Sequence, residues 1–310
     1  MTPLYRRIFP RWTPRPELSP RGTLESVGAR IAWLGTAGHV VEAGGVTMLL
    51  DPFLTRPSLL RTATTRLVPD EAEIARRVPS KVDAILCGHS HYDHLLDAPL
   101  IARRTGAMLV GSHTTCAFAR ASGVPESQLC IVPPTGATVR IKDAEIRFVR
   151  SRHGRLTPLG VPFPGAVDAP PRLPARLFHY KMGGAFGVLI RAGGVSLYHN
   201  GSADLVDAEL DGERADVLLV GLAGRRYTRN YVARLVHALG PSLVVPTHHD
   251  AFFAPLAHGV HLLPRIDLDG FVTDVRAHAP DARVITPGYF EVIGVPTGDA
   301  GAAAKAVLLA

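Results

Sequence analysis

Cysteine is scarce in this sequence, and its three cysteines lack the close spacing of a metal-binding or redox pair. They are Cys87, Cys116 and Cys130, and no two of them form a CxxC motif. An odd number of thiols without such spacing is typical of reduced cysteines in the cytoplasm. We therefore expect a cytoplasmic location, and we interpret Cys87, which lies in an apolar segment, as a small buried side chain.

Long apolar runs are missing as well. The longest run, at residues 217–223, is much shorter than the roughly 20 residues that a membrane-spanning helix needs. The first 22 residues carry arginine and proline but lack the apolar core of a secretory signal peptide. The sequence thus predicts no membrane span.

Basic residues outnumber acidic ones, but they form no block. The net charge is +7, and residues 1–30 alone hold six arginines against Glu17 and Glu25. Nucleic-acid-binding surfaces usually cluster basic residues on one face or along one helix. Because the remaining charge is spread thinly, we interpret it as a solvated surface and expect no nucleic-acid partner.

The sequence has enough apolar residues for a large core, since 46% of its 310 residues are hydrophobic. Apolar segments bounded by turn residues predict strands, and segments with helical periodicity predict helices. The predicted strands are residues 30–34, 39–42, 46–50, 83–87, 129–132, 138–141, 145–150, 186–191, 195–199, 216–220, 243–246 and 283–286. The predicted helices are residues 71–78, 98–104, 114–122, 227–239 and 266–278.

Proline interrupts this pattern between residues 154 and 178. A loop of this length inside a compact domain is usually functional, often a lid, although a disordered surface insertion fits the pattern equally well. We divide the chain into an N-terminal arm (1–27), one domain that contains this loop (28–295) and a C-terminal tail (296–310).

Histidines gather directly after the predicted strand 83–87. His89, His91, Asp93 and His94 lie within six residues, at the carboxyl end of a strand, where sites in α/β folds collect. Imidazole and carboxylate groups are ligands for zinc and similar metals. So short a segment cannot surround one ion with four donors without strain, but it can serve two neighbouring ions that other parts of the chain complete.

The run from His89 to His94 matches the HxHxDH signature and resembles the metallo-β-lactamase superfamily. More narrowly, residues 31–35 (IAWLG) and 48–53 (MLLDPF) are similar to one branch. That branch contains ascorbate-6-phosphate lactonase and the phospholipase D that cleaves N-acyl-phosphatidylethanolamine. The resemblance covers roughly residues 28–290. It implies an α/β fold, namely a four-layer αβ/βα sandwich with two mixed sheets face to face and helices outside.

The resemblance also implies which distant residues complete the site. His153 follows the strand 145–150 and His248 follows the strand 243–246, as the superfamily's third and last metal-binding histidines do. His249 is the neighbouring alternative to His248. Asp51 matches an aspartate that supports the metal loop by hydrogen bonds, although a plain strand-end turn residue is the other interpretation. The implied ligands are His89, His91 and His153 for the first ion and Asp93, His94 and His248 for the second.

One position departs from the family pattern. The family usually has a bridging aspartate after a glycine, and here Gly201 is followed by Ser202. A neutral hydroxyl is a poor ligand, so we expect the second ion to bind more weakly and the protein to carry nearer one metal than two. Asp204 and His199 are the two nearby residues that could replace the missing ligand.

The resemblance implies a metal-dependent hydrolase that uses a metal-activated hydroxide on an ester, lactone or phosphodiester. Zinc is the expected metal, one or two ions per chain, with Mn²⁺ or Fe²⁺ as alternatives. Asp93 would orient the hydroxide, and the partner is a small-molecule substrate. The Pro-rich segment could cover a lipid-like or acyl group, and four residues near its end could meet phosphate: Arg172, Arg176, His179 and Lys181. Residues of this kind are more often plain surface or loop residues. A non-catalytic metal-binding protein with a degraded second site and a nuclease are the alternatives.

Overall fold

The computed structural model describes residues 3–158, 160–298 and 301–309. These residues form sixteen strands and eight α-helices. The strands are β1 (Arg21–Gly22), β2 (Ala29–Gly35), β3 (Gly38–Ala43), β4 (Val46–Leu50), β5 (Ala84–Leu86), β6 (Met108–Ser112), β7 (Leu129–Val132), β8 (Ala137–Ile141), β9 (Ala144–Arg150), β10 (Phe186–Ala192), β11 (Val195–Asn200), β12 (Val217–Gly221), β13 (Leu243–Thr247), β14 (Arg283–Val284), β15 (Val292–Val295) and β16 (Val307–Leu309). The helices are α1 (Pro3–Ile8), α2 (Leu59–Thr64), α3 (Glu71–Arg77), α4 (Tyr92–Leu95), α5 (Ala98–Thr105), α6 (His113–Ala121), α7 (Tyr231–Leu239) and α8 (Leu268–His278).

The strands form two mixed sheets. One sheet has nine strands in the order β1-β16-β15-β2-β3-β4-β5-β6-β7, and the other has seven in the order β14-β13-β12-β11-β10-β9-β8. In the first sheet, β2 to β4 are antiparallel and β4 to β7 parallel. In the second, β8 to β11 are antiparallel and β11 to β14 parallel. Because parallel neighbours need crossover connections, helices α2 to α8 all lie between parallel strands.

The two sheets pack face to face. The core between them joins Met48 and Leu86 of the first sheet to Phe148, Val188 and Val245 of the second. Along most strands, every second residue belongs to this core, because successive side chains of a strand point to opposite faces of the sheet. This central core places both sheets inside the molecule.

Helices cover the outer face of each sheet. Ile101 of α5 and Phe118 of α6 pack on the first sheet, whereas Leu235 of α7 and Phe271 of α8 pack on the second. Sheets that are covered on both faces have strands that are apolar over most of their length, as in β13, which is fully buried. The predicted four-layer αβ/βα sandwich is thus confirmed.

Two helices begin later than the sequence predicts, and the reasons are local. Asn230 precedes α7 in the left-handed conformation, at φ 51°, so the segment from residue 227 does not continue into the helix. Asp267 caps α8 by accepting a hydrogen bond from the Gly270 amide over 2.8 Å. α8 has eleven residues. No helix in the described ranges has the length and apolarity that crossing a membrane requires.

Seven elements were not predicted: β1, β6, β15, β16, α1, α2 and α4. β1 pairs in parallel with β16, with Arg21 opposite Leu308, so parts of the proposed arm and tail join the nine-stranded sheet. Residues 1, 2, 299, 300 and 310 of those segments lie outside the described residues. The division into arm, domain and tail stays a prediction.

Backbone hydrogen bonds hold the Pro-rich segment against the domain. The carbonyls of Phe163 and Gly165 accept from the amides of Met182 and Gly183 over 3.0 and 2.8 Å. The Ala175 carbonyl accepts from the Leu67 amide over 2.8 Å. These bonds count against the disordered insertion, whereas the covering role stays a prediction.

Candidate metal centre

A strand end and a short helix place the histidine run. β5 ends at Leu86 and α4 begins at Tyr92, so His89 and His91 lie on the connecting loop, while Asp93 and His94 lie on the helix. All four of these side chains are buried, with at most 8% of the residue surface exposed. The loop therefore presents its imidazoles to the protein interior rather than to solvent.

The first group of potential ligands comprises His89, His91 and His153, whose ligand atoms lie within 4.8 Å of one another. His153 follows β9 of the opposite sheet. Its Nε2 lies 3.2 Å from Nδ1 of His91. Nδ1 of His153 lies 2.7 Å from the Gly154 carbonyl, to which it donates its hydrogen, and this leaves a lone pair on Nε2.

The second group comprises Asp93, His94 and His248. Nε2 of His248 lies 3.3 Å from Nε2 of His94 and 3.3 Å from Oδ2 of Asp93. His248 follows β13 and has a left-handed backbone, at φ 51°. Its amide donates to the Thr36 carbonyl over 2.7 Å, which fixes the imidazole against α4.

Both groups fit a metal ion. Two atoms bound tetrahedrally to zinc at 2.0–2.1 Å are about 3.3 Å apart. One nitrogen pair in the first group is 3.2 Å apart and one in the second is 3.3 Å apart. Nε2 of His89 is buried without a hydrogen-bond partner among the described residues, which is unfavourable unless it binds a ligand. A set of three nitrogens beside a set of two nitrogens and one carboxylate suits zinc and similar divalent metals.

The protonation states of four of the six potential ligands also fit metal binding. Burial lowers the pKa of His89 and His91 and lowers the pKa of His153 to about 3. For Asp93, burial acts to raise the pKa, but His94 and His248 outweigh it and hold the pKa below its usual value. The three imidazoles are therefore neutral and the carboxylate is ionised near neutral pH, as metal ligands must be.

Asp51 lies behind the second group. Its Oδ1 accepts a hydrogen bond from the Gly88 amide over 2.7 Å, and its Oδ2 lies 3.0 Å from Nδ1 of His94. Oδ2 also lies 3.0 Å from Nε2 of His199. Carboxylates that contact the rear nitrogen of a metal-binding histidine fix its tautomer and its orientation. Asp51 therefore lies in a supporting position behind the ligands. His199 contacts this carboxylate and is not a member of either ligand group.

Ser202 lies beside the first group, whereas Asp204 points elsewhere. The Ser202 hydroxyl accepts a hydrogen bond from the Gly154 amide over 2.9 Å, directly after His153. The Asp204 carboxylate accepts from the Leu205 amide over 2.8 Å and lies 3.7 Å from the Arg234 guanidinium. Of Ser202 and Asp204, the geometry thus favours Ser202 as the residue at the bridging position.

A cavity of about 620 Å³ opens onto both groups. Ser202 and five of the six potential ligands line it, the exception being His89. Most of the remaining lining is apolar and comes from separate parts of the chain: Leu59, Leu156, Phe163, Leu177, Phe252 and Phe253. Cavities of this volume commonly enclose a whole small molecule.

The basic residues of the cavity differ from those that the sequence suggested. Arg172, Arg176, His179 and Lys181 do not line it. Arg176 instead donates a hydrogen bond to the Thr64 carbonyl over 2.8 Å. The cavity contains three other arginines: Arg225, Arg226 and Arg265. Arg225 and Arg226 begin a short 3₁₀ helix in the loop after β12, and Arg265 lies on the loop before α8. All three are far from the histidine run in sequence, and no local pattern distinguishes them from surface arginines.

Comparison with known proteins agrees with this geometry. Residues 30–248 match the sequence profile of the beta-lactamase superfamily domain. The chain is 31% identical over 271 residues to a UPF0173 metal-dependent hydrolase of Anaeromyxobacter dehalogenans (strain 2CP-1), covering 83% of this chain and 84% of that one.

Two solved structures share the fold. Igni18, a metallo hydrolase from Ignicoccus hospitalis, has a TM-score of 0.54 at 21% identity, covering 85% of this chain and 97% of that one. CmlA, a diiron β-hydroxylase from Streptomyces venezuelae, has a TM-score of 0.54 at 16% identity, covering 86% of this chain and 54% of that one. At these identities the likeness shows the fold alone.

Proposed function

Because the chain belongs to the metallo-β-lactamase superfamily and, within it, to the UPF0173 metal-dependent hydrolases, we propose that it hydrolyses a small ester, lactone or phosphodiester. The observation that carries this proposal is the pair of ligand groups at one end of a largely apolar cavity. The narrower likeness to the lactonase and phospholipase D branch stays a prediction.

The two groups would hold one or two ions, and zinc suits their donors best. His89, His91 and His153 would bind the first ion, and Asp93, His94 and His248 the second. When bound, zinc supplies a Lewis acid and lowers the pKa of a coordinated water. Manganese and iron are the alternatives.

The protein's own residues would position the reactants. The Asp93 carboxylate lines the cavity and is ionised near neutral pH, so it can accept a hydrogen bond from the attacking water and orient it. Asp51 would keep His94 in place through the 3.0 Å contact. The apolar lining would exclude bulk water around the reacting bond.

A metal-binding protein without hydrolase activity is the second candidate. It is favoured by Ser202, whose hydroxyl is engaged by the Gly154 amide where the family usually has a bridging carboxylate. Without that negative charge, the second ion has only Asp93 as an anionic ligand and would be held less tightly.

Metal analysis combined with a substrate panel tests the proposal. The protein, saturated with Zn²⁺, Mn²⁺ or Fe²⁺ in turn, would be assayed with p-nitrophenyl acetate, γ-butyrolactone and bis(p-nitrophenyl) phosphate. We expect turnover of at least one of them, lost in His89→Ala and Asp93→Asn but kept in His258→Ala, an exposed histidine outside the cavity. Bound metal without turnover on any substrate would favour the second candidate.

The proposal also includes a small-molecule partner and a cytoplasmic location. The cavity volume of about 620 Å³ suits a small molecule rather than a nucleic-acid strand. All three cysteines are free thiols, which supports a reducing compartment such as the cytoplasm.

A further inference from the structure

We propose that the cavity selects an anionic amphiphile, a substrate in which the hydrolysed group is joined to an apolar chain and to a negatively charged group. This inference rests on the proposed hydrolase function and names the substrate class of the same site. It is carried by the apolar surface and the unpaired arginines of the cavity.

The apolar surface begins at the ligand groups and extends to the opening of the cavity. The Phe163 ring lies 6.5 Å from that of His91, and the Phe252 ring lies 5.7 Å from that of His248. Leu59 and Leu156 also line the cavity but are 54% and 41% exposed. Large apolar side chains that remain exposed around an opening mark a site for an apolar ligand.

The charged residues of the cavity outside the metal centre favour an anion. Arg225 is engaged, since it lies 2.6 Å from Asp274 and donates to the Asp267 carbonyl over 3.1 Å. Arg226 stacks on Tyr227, its guanidinium 4.8 Å from the ring centroid. Neither Arg226 nor Arg265 forms an ion pair within the described residues.

Those two arginines belong to neighbouring loops. The contact between Arg225 and the Asp267 carbonyl joins the loop of Arg226 to the loop of Arg265. The one carboxylate that lines this part of the cavity belongs to Asp267, and it is already used to cap α8. Two guanidinium groups without acidic partners therefore lie beside an apolar surface, which is the chemistry that recognises a carboxylate or phosphate on an apolar chain.

Binding of simple ligands separates this inference from hydrolysis. Isothermal titration of the metal-loaded protein would compare sodium octanoate, octanol and sodium acetate. Octanoate is expected to bind at least about tenfold more tightly than acetate, since each fully buried methylene contributes roughly fourfold. It is expected to bind about three- to fivefold more tightly than octanol, the gain typical of a partly exposed ion pair.

Matched variants assign these gains to residues. The double variant Arg226→Gln/Arg265→Gln should lose the preference for octanoate over octanol, whereas Arg229→Gln, an exposed arginine outside the cavity, should keep it. Leu156→Gln should weaken both ligands, whereas Leu60→Gln, 72% exposed and outside the cavity, should weaken neither. If the double variant keeps the preference, the carboxylate is bound elsewhere and the inference is overturned.

Three further outcomes separate the inference from the proposed function and from binding to a membrane surface. Turnover of p-nitrophenyl acetate without any preference for octanoate would support the hydrolase and overturn the amphiphile. Octanoate binding through Arg226 and Arg265 without turnover of any ester would overturn the proposed hydrolase function. The same result would support anionic amphiphiles as the class of ligand that the cavity binds. Binding to phosphatidylglycerol vesicles but not to monomeric octanoate would overturn the inference in favour of a membrane surface.

Discussion

Nη1 of Arg56 lies 2.9 Å from Oδ2 of Asp250, and both side chains are almost completely buried. Asp250 also accepts hydrogen bonds from the Thr36 amide and the Tyr289 hydroxyl, each over 2.7 Å. The Thr36 carbonyl in turn accepts from the His248 amide over 2.7 Å. This buried pair thus supports the loop that carries the last histidine of the second ligand group.

The variant Asp250→Asn should be strongly destabilised. It keeps the shape of the side chain but leaves the Arg56 guanidinium as an uncompensated buried charge, which typically costs about 3–5 kcal/mol. Urea unfolding at pH 7 would measure the loss. Glu209→Gln is the matched control, because Glu209 pairs with the 55% exposed Arg150 and surface pairs contribute at most about 1 kcal/mol. Equal losses in the two variants would contradict the prediction.

The variant Asp51→Asn should weaken metal binding in the second group. It removes the negative charge that faces Nδ1 of His94 at 3.0 Å, and loss of such a partner typically lowers metal affinity about 10–100-fold. Competition with a chromophoric zinc chelator would measure the affinity. Asp83→Asn serves as the control, because that carboxylate pairs with the 46% exposed Lys142 and does not line the cavity. Unchanged zinc affinity in Asp51→Asn would refute the supporting role.

The variant Ser202→Asp should raise the metal content from near one ion per chain towards two. A carboxylate at this position would add the negative charge that the second group lacks, and the Gly154 amide can still donate to it. Asp204→Ala should leave the metal content unchanged, because that carboxylate faces Arg234. Metal analysis after gel filtration is the measurement. Two tightly bound ions in the wild type would show that the serine does not weaken the second site.

Acid should destabilise the protein in part through His249. This buried imidazole stacks on Trp33, with ring centroids 4.5 Å apart, and burial lowers its pKa to about 4 against the opposing effect of Asp250. The unfolded chain therefore binds a proton near pH 6.5 that the folded protein does not accept until about pH 4. Its contribution to stability is complete above pH 6.5 and is lost as the pH falls towards 4.

The variant His249→Phe tests this sign. Between pH 7 and pH 5, the wild type should lose about 2 kcal/mol more than the variant, since each pH unit within the window contributes about 1.4 kcal/mol. Urea midpoints at the two pH values would measure the difference. His258→Gln, at an exposed position, should keep the wild-type pH dependence. Parallel pH dependence in His249→Phe and the wild type would mean that His249 does not stay neutral.

Most strands could be predicted because the signal for them is local. β4 and β7 begin and end at the predicted residues, since each is an apolar run bounded by turn residues. β1 and β16 could not be predicted. Each is at most three residues long and is a strand because of partners distant in the chain: β1 pairs with β16, and β16 also pairs with β15. No periodicity within either short segment indicates it.

The sequence by itself determined the chemistry of this protein. The donor types and the spacing from His89 to His94 predict a metal centre without knowledge of the fold, because the preference of a metal for its ligands is a property of the side chains. The tertiary structure decided how that centre is completed. His94 and His248 are 154 residues apart in the chain, and they meet because the two sheets pack face to face. Ser202 and Asp204 are two residues apart, yet one lies beside the ligands and the other faces α7, because side-chain direction depends on the turn after β11.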